Sequence, residues 1–485
     1  MKPVSVPIWR LRVARTLVLC FCTAFSITCV RSSADSVPLQ TQPQAVTAAA
    51  ALPEGVTDNP LLNARFLLFA PDSQRRKTLR WVQHNRRLDM AAAMIHAMRF
   101  HAPEQRDEIA AVLRVLTGER HDGDWFKWML WLEAHPEVHP FAGFDLYLSE
   151  LFSNIDPVFK QFVFPRMARR IRIEEIVWGG VGKDGIPALT NPKLIMASDL
   201  RHEDKQVRLE QDELVFGVAI NGDVRAYPFR YMDWHEMLND VVGGVPVSLA
   251  YCTLCGSGIL FDTRRAGNAP FVFGSSGLLY RSNKLMYDQQ THSLWNQFTG
   301  EPVTGALTNS GIVLPVLPVT ITSWGEWRRL HPGTRVLAHD TGYTRDYRPG
   351  APYGRYFASS RLLFPALVRD TTRAPKALVF VLRITGSEQA WALTQFAGGK
   401  VINDRVGIVD IVLIGNEQTR TVRAYRRGAL QFARGAQPDA LVDGAGVRWT
   451  LSEDALTAPD GRTLPRLPGH VAYSFAFDSY FPRGS

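Results

Sequence analysis

Residues 213–255, ELVFGVAINGDVRAYPFRYMDWHEMLNDVVGGVPVSLAYCTLC, return in altered form at residues 377–419 as ALVFVLRITGSEQAWALTQFAGGKVINDRVGIVDIVLIGNEQT. The two strings align without a gap at an offset of 164. Leu214, Val215 and Phe216 match Leu378, Val379 and Phe380, while Gly222 matches Gly386 and Ala226 matches Ala390. Asn239, Asp240, Val242 and Gly243 return as Asn403, Asp404, Val406 and Gly407. Self-similarity of this kind is the signature of an internal repeat. Each copy opens with alternating apolar residues, and in the first they flank Asn221-Gly222, the pair that favours a tight type I′ hairpin turn. The later spacing persists more loosely: Asp288 with Trp295 echoes Asp443 with Trp449, and Trp327 with Pro332 echoes Phe477 with Pro482.

Upstream of the repeats the pattern changes. Residues 75–100 and 103–119 place apolar residues at three-to-four spacing, with Pro103 and Gly118 as breaks. The stretches DWFKWMLWLEAHP and FAGFDLYLSELFS continue the pattern, and their aromatic residues read as helix-packing core. The expectation is an α+β chain: an α-helical domain of hairpin-array type over 58–168, a β-rich first repeat over 170–360 and a degenerate second repeat over 361–485.

The N-terminus carries Lys2, Arg10, Arg12 and Arg15 ahead of the uncharged run from Thr16 to Val30, the shape of a signal peptide over 1–34. Ser32 and Ala34 suit ordinary cleavage; Cys29 in SITC is the competing lipidation reading, and an uncleaved anchor is the third. Residues 35–57, rich in Ser, Gln, Thr, Ala and Pro, read as a flexible linker. The chain is therefore expected to be exported, periplasmic or membrane-anchored on the extracytoplasmic side.

Of the formal net charge of +9, five positive charges precede Asp35, leaving +4 on the remainder. That balance, without a concentrated basic stripe, does not indicate a nucleic-acid partner. A membrane contact would come through the N-terminus and a protein partner through the helical region. WGGVGKDG lacks the glycine and hydroxyl spacing of a phosphate loop, so no nucleotide cofactor is expected.

Outside the first thirty residues the cysteines are Cys252 and Cys255, in AYCTLCGSG. Gly256 follows the second, which excludes covalent haem attachment of the usual C-x-x-C-H form. Two thiolates with one or two imidazoles suit Cu(I), Zn(II) or iron. His235 and His292 are the candidate partners, with Glu236, Asp262, Asp288, Trp295 and His331 as reserves around them. In the second copy His235, Cys252 and Cys255 align with Gly399, Asn416 and Thr419, so all three disappear together. A local disulfide between Cys252 and Cys255, or a cycling dithiol, is the alternative in an oxidising compartment.

The strings GIPALTNPKLIMASDL, YPFRYMDWHEMLNDVVGGVPVSLAYCTLCGSGILFD, GLLYRSNKLMYDQQTHSLWNQFTGEPVTG and SWGEWRRLHPGTRVL resemble the bacterial and archaeal domain-of-unknown-function family 3179. The likeness is close over about 170–360 and weak beyond. His235, Cys252, Cys255, Asp288 and Trp295 match its motif, with Thr253 standing where proline is usual. The resemblance implies no established activity. Three functional classes follow from the residues: a soft-metal site for metal handling or redox, a dithiol oxidoreductase using Cys252 and Cys255, and a non-enzymatic binding or scaffold protein stapled by a disulfide.

Overall fold

The computed structural model describes residues 57–200, 208–384, 386–437 and 439–481. The expected signal peptide and nearly all of the linker lie outside the described residues. Among the described residues, no helix is long and apolar enough to cross a membrane.

Residues 60–155 form six α-helices: Pro60–Phe69, Asp72–His84, Ala91–Met98, Pro103–Thr117, Trp125–Ala134 and Phe144–Ile155. Their boundaries obey local chemistry. Pro103 occupies the first helical position and Gly118 ends the same helix in the left-handed region. The Asp124 side chain accepts from the Lys127 amide at the next N-terminus. The helices do not keep a core to themselves: one continuous cluster of buried apolar residues runs from Ala64, Trp128 and Phe152 through Cys252, Trp295 and Phe298 to Phe475.

The rest of the chain is dominated by strands. Leu214–Ile220 and Asp223–Pro228 form the expected hairpin, with Ile220 opposite Asp223 and both turn residues at positive φ, 50° at Asn221 and 80° at Gly222. Thr320–Ser323 pairs antiparallel with the first strand, and Arg335–Leu337 pairs parallel with the second. A meander follows: Met237–Val242, Val245–Cys252 and Ser257–Asp262, with Val242 opposite Val245 and Cys252 opposite Ser257. Farther along, Phe273–Tyr280 and Asn283–Asp288 form another antiparallel pair.

Residues 378–473 add further antiparallel pairings. Leu378–Ile384 pairs with Ser387–Ala392 and with Gly469–Tyr473. The meander Val401–Val406, Val409–Asn416 and Thr421–Arg426 has Val406 opposite Val409 and Asn416 opposite Thr421. Those registers fall at the same 164-residue offset as the sequence match. Side-chain clamps recur too. Asn239 bonds both the amide and the carbonyl of Phe273, at 2.9 Å each. Asn403 does the same to Phe432, at 2.9 Å and 2.8 Å. The Trp295 indole donates to Asp288 at 2.9 Å and the Trp449 indole to Asp443 at 3.0 Å.

Candidate functional site

Cys252 is the last residue of its strand, and Thr253–Cys255 makes a single 3-10 turn that Gly256 closes at φ +58°. Glycine is required here twice over: the backbone is left-handed, and a Cβ would lie 3.1 Å from the Tyr473 ring. The turn places both sulfurs under cover, with Cys252 2% and Cys255 0% exposed, and both are free thiols. Residues three apart across a tight turn hold their Cα atoms within about 7 Å, compatible with the span of a disulfide.

The two thiols differ. Burial opposes ionisation of Cys252, but the Cys255 thiol beside it, the Lys284 backbone amide and the Lys284 charge together hold it below the ordinary thiol value. Burial and the neighbouring Cys252 sulfur push Cys255 well above that value. Cys252 is thus the sulfur that loses its proton first. Cys255 donates to Ser282 O at 3.4 Å and receives the Asn283 amide at 3.2 Å. Asn283 is held by Gln297 at 2.9 Å, and Gln297 also reaches Ala250 O at the back of the turn.

A buried ion pair completes the site. Lys284 Nζ lies 2.7 Å from Glu236 Oε2, with both side chains almost inaccessible. Thr253, inside the C-x-x-C turn, donates to Glu236 Oε1 at 2.8 Å, and Tyr353 donates to the same oxygen at 3.2 Å. The Glu236 backbone carbonyl accepts from the Tyr251 amide, pinning this residue to the cysteine strand. Tyr356 also reaches the turn, donating to Leu254 O at 2.6 Å.

His235 does not join the cysteines. Its Nδ1 lies 2.9 Å from the Pro187 carbonyl, so that nitrogen carries the proton, and Nε2 accepts from the Tyr347 hydroxyl at 2.7 Å. Burial lowers its pKa to about 4, so it stays neutral. The reason for the separation is local: His235 ends the helix Phe229–His235, and Glu236 turns the chain at φ +57°. Consecutive side chains therefore face different surroundings, and Glu236 rather than His235 faces the turn.

The other candidates also serve elsewhere. His292 sits in the turn after Asp288, its amide donating to the Asp288 carbonyl at 2.9 Å and its ring near Tyr287. Asp288 accepts from the Thr291 amide and hydroxyl and from Trp295, which is core. Asp262 binds Arg264, and His331 stacks near Trp327. Among the described residues, no group of three or more His, Cys, Asp and Glu side chains is placed to hold a metal ion. The residues that sequence reasoning missed are Lys284, Asn283, Thr253 and Tyr353. Lys284 had a legible signal, a lysine followed by Leu285 and Met286 in the strand Asn283–Asp288, every residue of which is buried.

No curated protein and no solved structure matches the chain. A family model described as "Protein of unknown function (DUF3179)" matches residues 183–484, beginning after the helices and taking in the C-x-x-C turn, its Glu236–Lys284 pair and the later strands; the chain belongs to that family.

Proposed function

We propose that this is an extracytoplasmic dithiol–disulfide oxidoreductase in which Cys252 attacks and Cys255 resolves. The observation that carries this reading is the C-x-x-C turn itself: two free thiols buried on one 3-10 turn against the Glu236–Lys284 pair, with Cys252 the more acidic sulfur. A thiolate is the attacking species in disulfide exchange. Cys252 S⁻ attacks one sulfur of a substrate disulfide, forming a mixed disulfide and releasing the other sulfur as a thiolate. Cys255 then gives up its proton and attacks Cys252 Sγ, breaking the mixed disulfide and releasing the second substrate thiolate. The substrate gains two electrons and the C-x-x-C turn loses two. Lys284 favours the Cys252 anion, whereas the Glu236 carboxylate, linked to the turn through Thr253, opposes it. Both thiols are buried, with Tyr353 and Tyr356 against the site, so exchange requires that cover to open.

The supporting scaffold is read as two divergent copies behind the N-terminal helices, the second having kept the clamps and lost the thiols. Gapless sequence similarity, equal strand registers and the paired Asn and Trp–Asp bonds support this layout. Export rests on the N-terminal sequence.

The test is a redox titration of the chelator-free protein against oxidised and reduced glutathione, with metal content measured on the same samples. A single reversible Cys252–Cys255 disulfide, absent in Cys252→Ser, with a raised attacking-thiol pKa in Lys284→Met, is the expected result. About one equivalent of copper, zinc or iron that Cys252→Ser removes would replace this reading with a metal site built on the thiolates. A pair that forms a disulfide irreducible by glutathione would make it a staple.

A further inference from the structure

A cavity of about 200 Å³ is lined by residues of both halves, Gly256 of the cysteine turn among them. Its apolar walls come in matched pairs. Leu214 and Leu378 both line it and occupy equivalent positions at the 164-residue offset. Ile321 lies opposite Phe216 and Val471 opposite Phe380, so these two wall residues also correspond. Gly256 and Arg420 complete the correspondence. Each follows a turn in which its amide donates back three residues, to Thr253 O and to Glu417 O, and each has a left-handed backbone, φ +58° and +55°.

The polar groups break this symmetry. Arg420 stands where the other half has glycine, in a backbone conformation that carries strain for a residue with a Cβ. Among the described residues no carboxylate lies within ion-pair distance of its guanidinium, although Asp233 feels its charge. Asp233, 4% exposed, lines the same cavity; Tyr251 interacts with its carboxyl, while Oδ1 is buried without a hydrogen-bond partner. The corresponding residue of the second half is Ala397. The remaining charges at the wall cancel, Arg230 Nε binding Glu213 at 2.7 Å. A guanidinium without an ion pair at the wall of a largely apolar space marks a place where a ligand can supply the anion.

We propose that this cavity binds a small monocarboxylate, its carboxylate held by the Arg420 guanidinium and its apolar body packed between Leu214, Leu378, Ile321 and Val471. Burial raises the Asp233 pKa to about 8, so its carboxyl is neutral at pH 7 and Arg420 leaves one uncompensated positive charge, which selects a monoanion. The volume is somewhat above the roughly 150 Å³ of a cavity that accepts benzene, which limits the body to a ring or a short aliphatic chain. Binding here and disulfide exchange at Cys252 are separate readouts, so either can fail without the other.

The experiment is a calorimetric and NMR titration of the folded full chain with acetate, hexanoate and benzoate, and with benzyl alcohol as the neutral analogue of benzoate. Hexanoate or benzoate should saturate one site per chain, with acetate and benzyl alcohol at least tenfold weaker. Arg420→Gly, which installs the residue of the other half and is expected to fold, should weaken binding tenfold or more; Arg420→Lys should recover part of it. Asp233→Asn should change affinity less than Arg420→Gly. Absence of saturable binding by all three acids at millimolar concentration, or equal affinity in wild type and Arg420→Gly, would overturn the proposal.

Discussion

The segments 213–262 and 377–426 share strand registers, turn positions and an asparagine clamp, but they treat charge in opposite ways. In the first, Glu236 is buried and paired with Lys284 beneath the cysteine turn. At the matching position of the second stands Lys400, exposed to solvent. Cys252 and Cys255 give way to Asn416 and Thr419, and the Thr419 hydroxyl meets Thr421 at 2.8 Å. What the two segments hold in common is therefore what the backbone needs, while the thiols and their ion pair belong to one segment alone. A buried ion pair is a weak device for stability, since desolvation offsets much of its attraction. The second segment buries a different pair, Arg423 with Glu453, so what singles out Glu236 and Lys284 is their place against the cysteine turn.

The largest effect should come from breaking that pair. Lys284→Met leaves the Glu236 carboxylate buried beside Thr253 and Tyr353 without a cation, a change that costs about 3–5 kcal/mol in comparable sites. Lys400→Met should remain within about 0.5 kcal/mol, as expected for an exposed position. Urea unfolding of both variants checks the contrast. A Lys284→Met protein as stable as wild type would show that Glu236 takes up a proton readily and that the pair does not set the charge at Cys252.

A smaller difference is expected in acid. His235 is buried with its pKa lowered to about 4, whereas Gly399 occupies the matching position. Below pH 6.5 the unfolded chain protonates this imidazole and the folded chain does not, so unfolding takes up a proton. Its contribution is complete above pH 6.5 and is lost as pH falls toward 4, about 3 kcal/mol. His96 and His470, also lowered by burial, to about 4 and about 3, add to the same loss. His235→Gln should flatten the fall in unfolding free energy between pH 6.5 and 4 by about one third; an unchanged slope would mean that the imidazole is already charged in the fold.

Much of the β architecture was legible because its determinants are local. Asn221-Gly222 specifies a type I′ turn, and the gapless match of Asn239–Gly243 with Asn403–Gly407 carries strand register from one segment to the other. Pro103 and Gly118 likewise mark helix ends by backbone chemistry alone. The candidate site was legible only in part. The cysteines announce themselves, but which neighbour faces them depends on the left-handed turn at Glu236, and a single residue of difference exchanges His235 for Glu236. Lys284 reaches the turn from a strand 29 residues beyond Cys255, a tertiary contact with no periodicity to report it. The shared core of helices and strands was equally invisible, because apolar helix faces indicate burial without naming the surface that buries them.

The smallest effect offers the finest test of the comparison. Gly256 and Arg420 hold nearly the same left-handed backbone, yet only the glycine does so without a steric penalty. The αL conformation costs an ordinary residue about 1–2 kcal/mol, and glycine returns about 0.4–1 kcal/mol of this through the greater freedom of its unfolded state. Arg420→Gly should therefore stabilise the protein by about 0.5 kcal/mol, read as a small upward shift of the urea midpoint at unchanged slope. The reciprocal Gly256→Ala should destabilise, since its Cβ meets the Tyr473 ring as well as the strained backbone. A stabilising Arg420→Gly would mean that the arginine is retained against folding stability, as a binding residue is. A destabilising one would assign the guanidinium to packing at the seam and make the two turns equivalent parts of the scaffold.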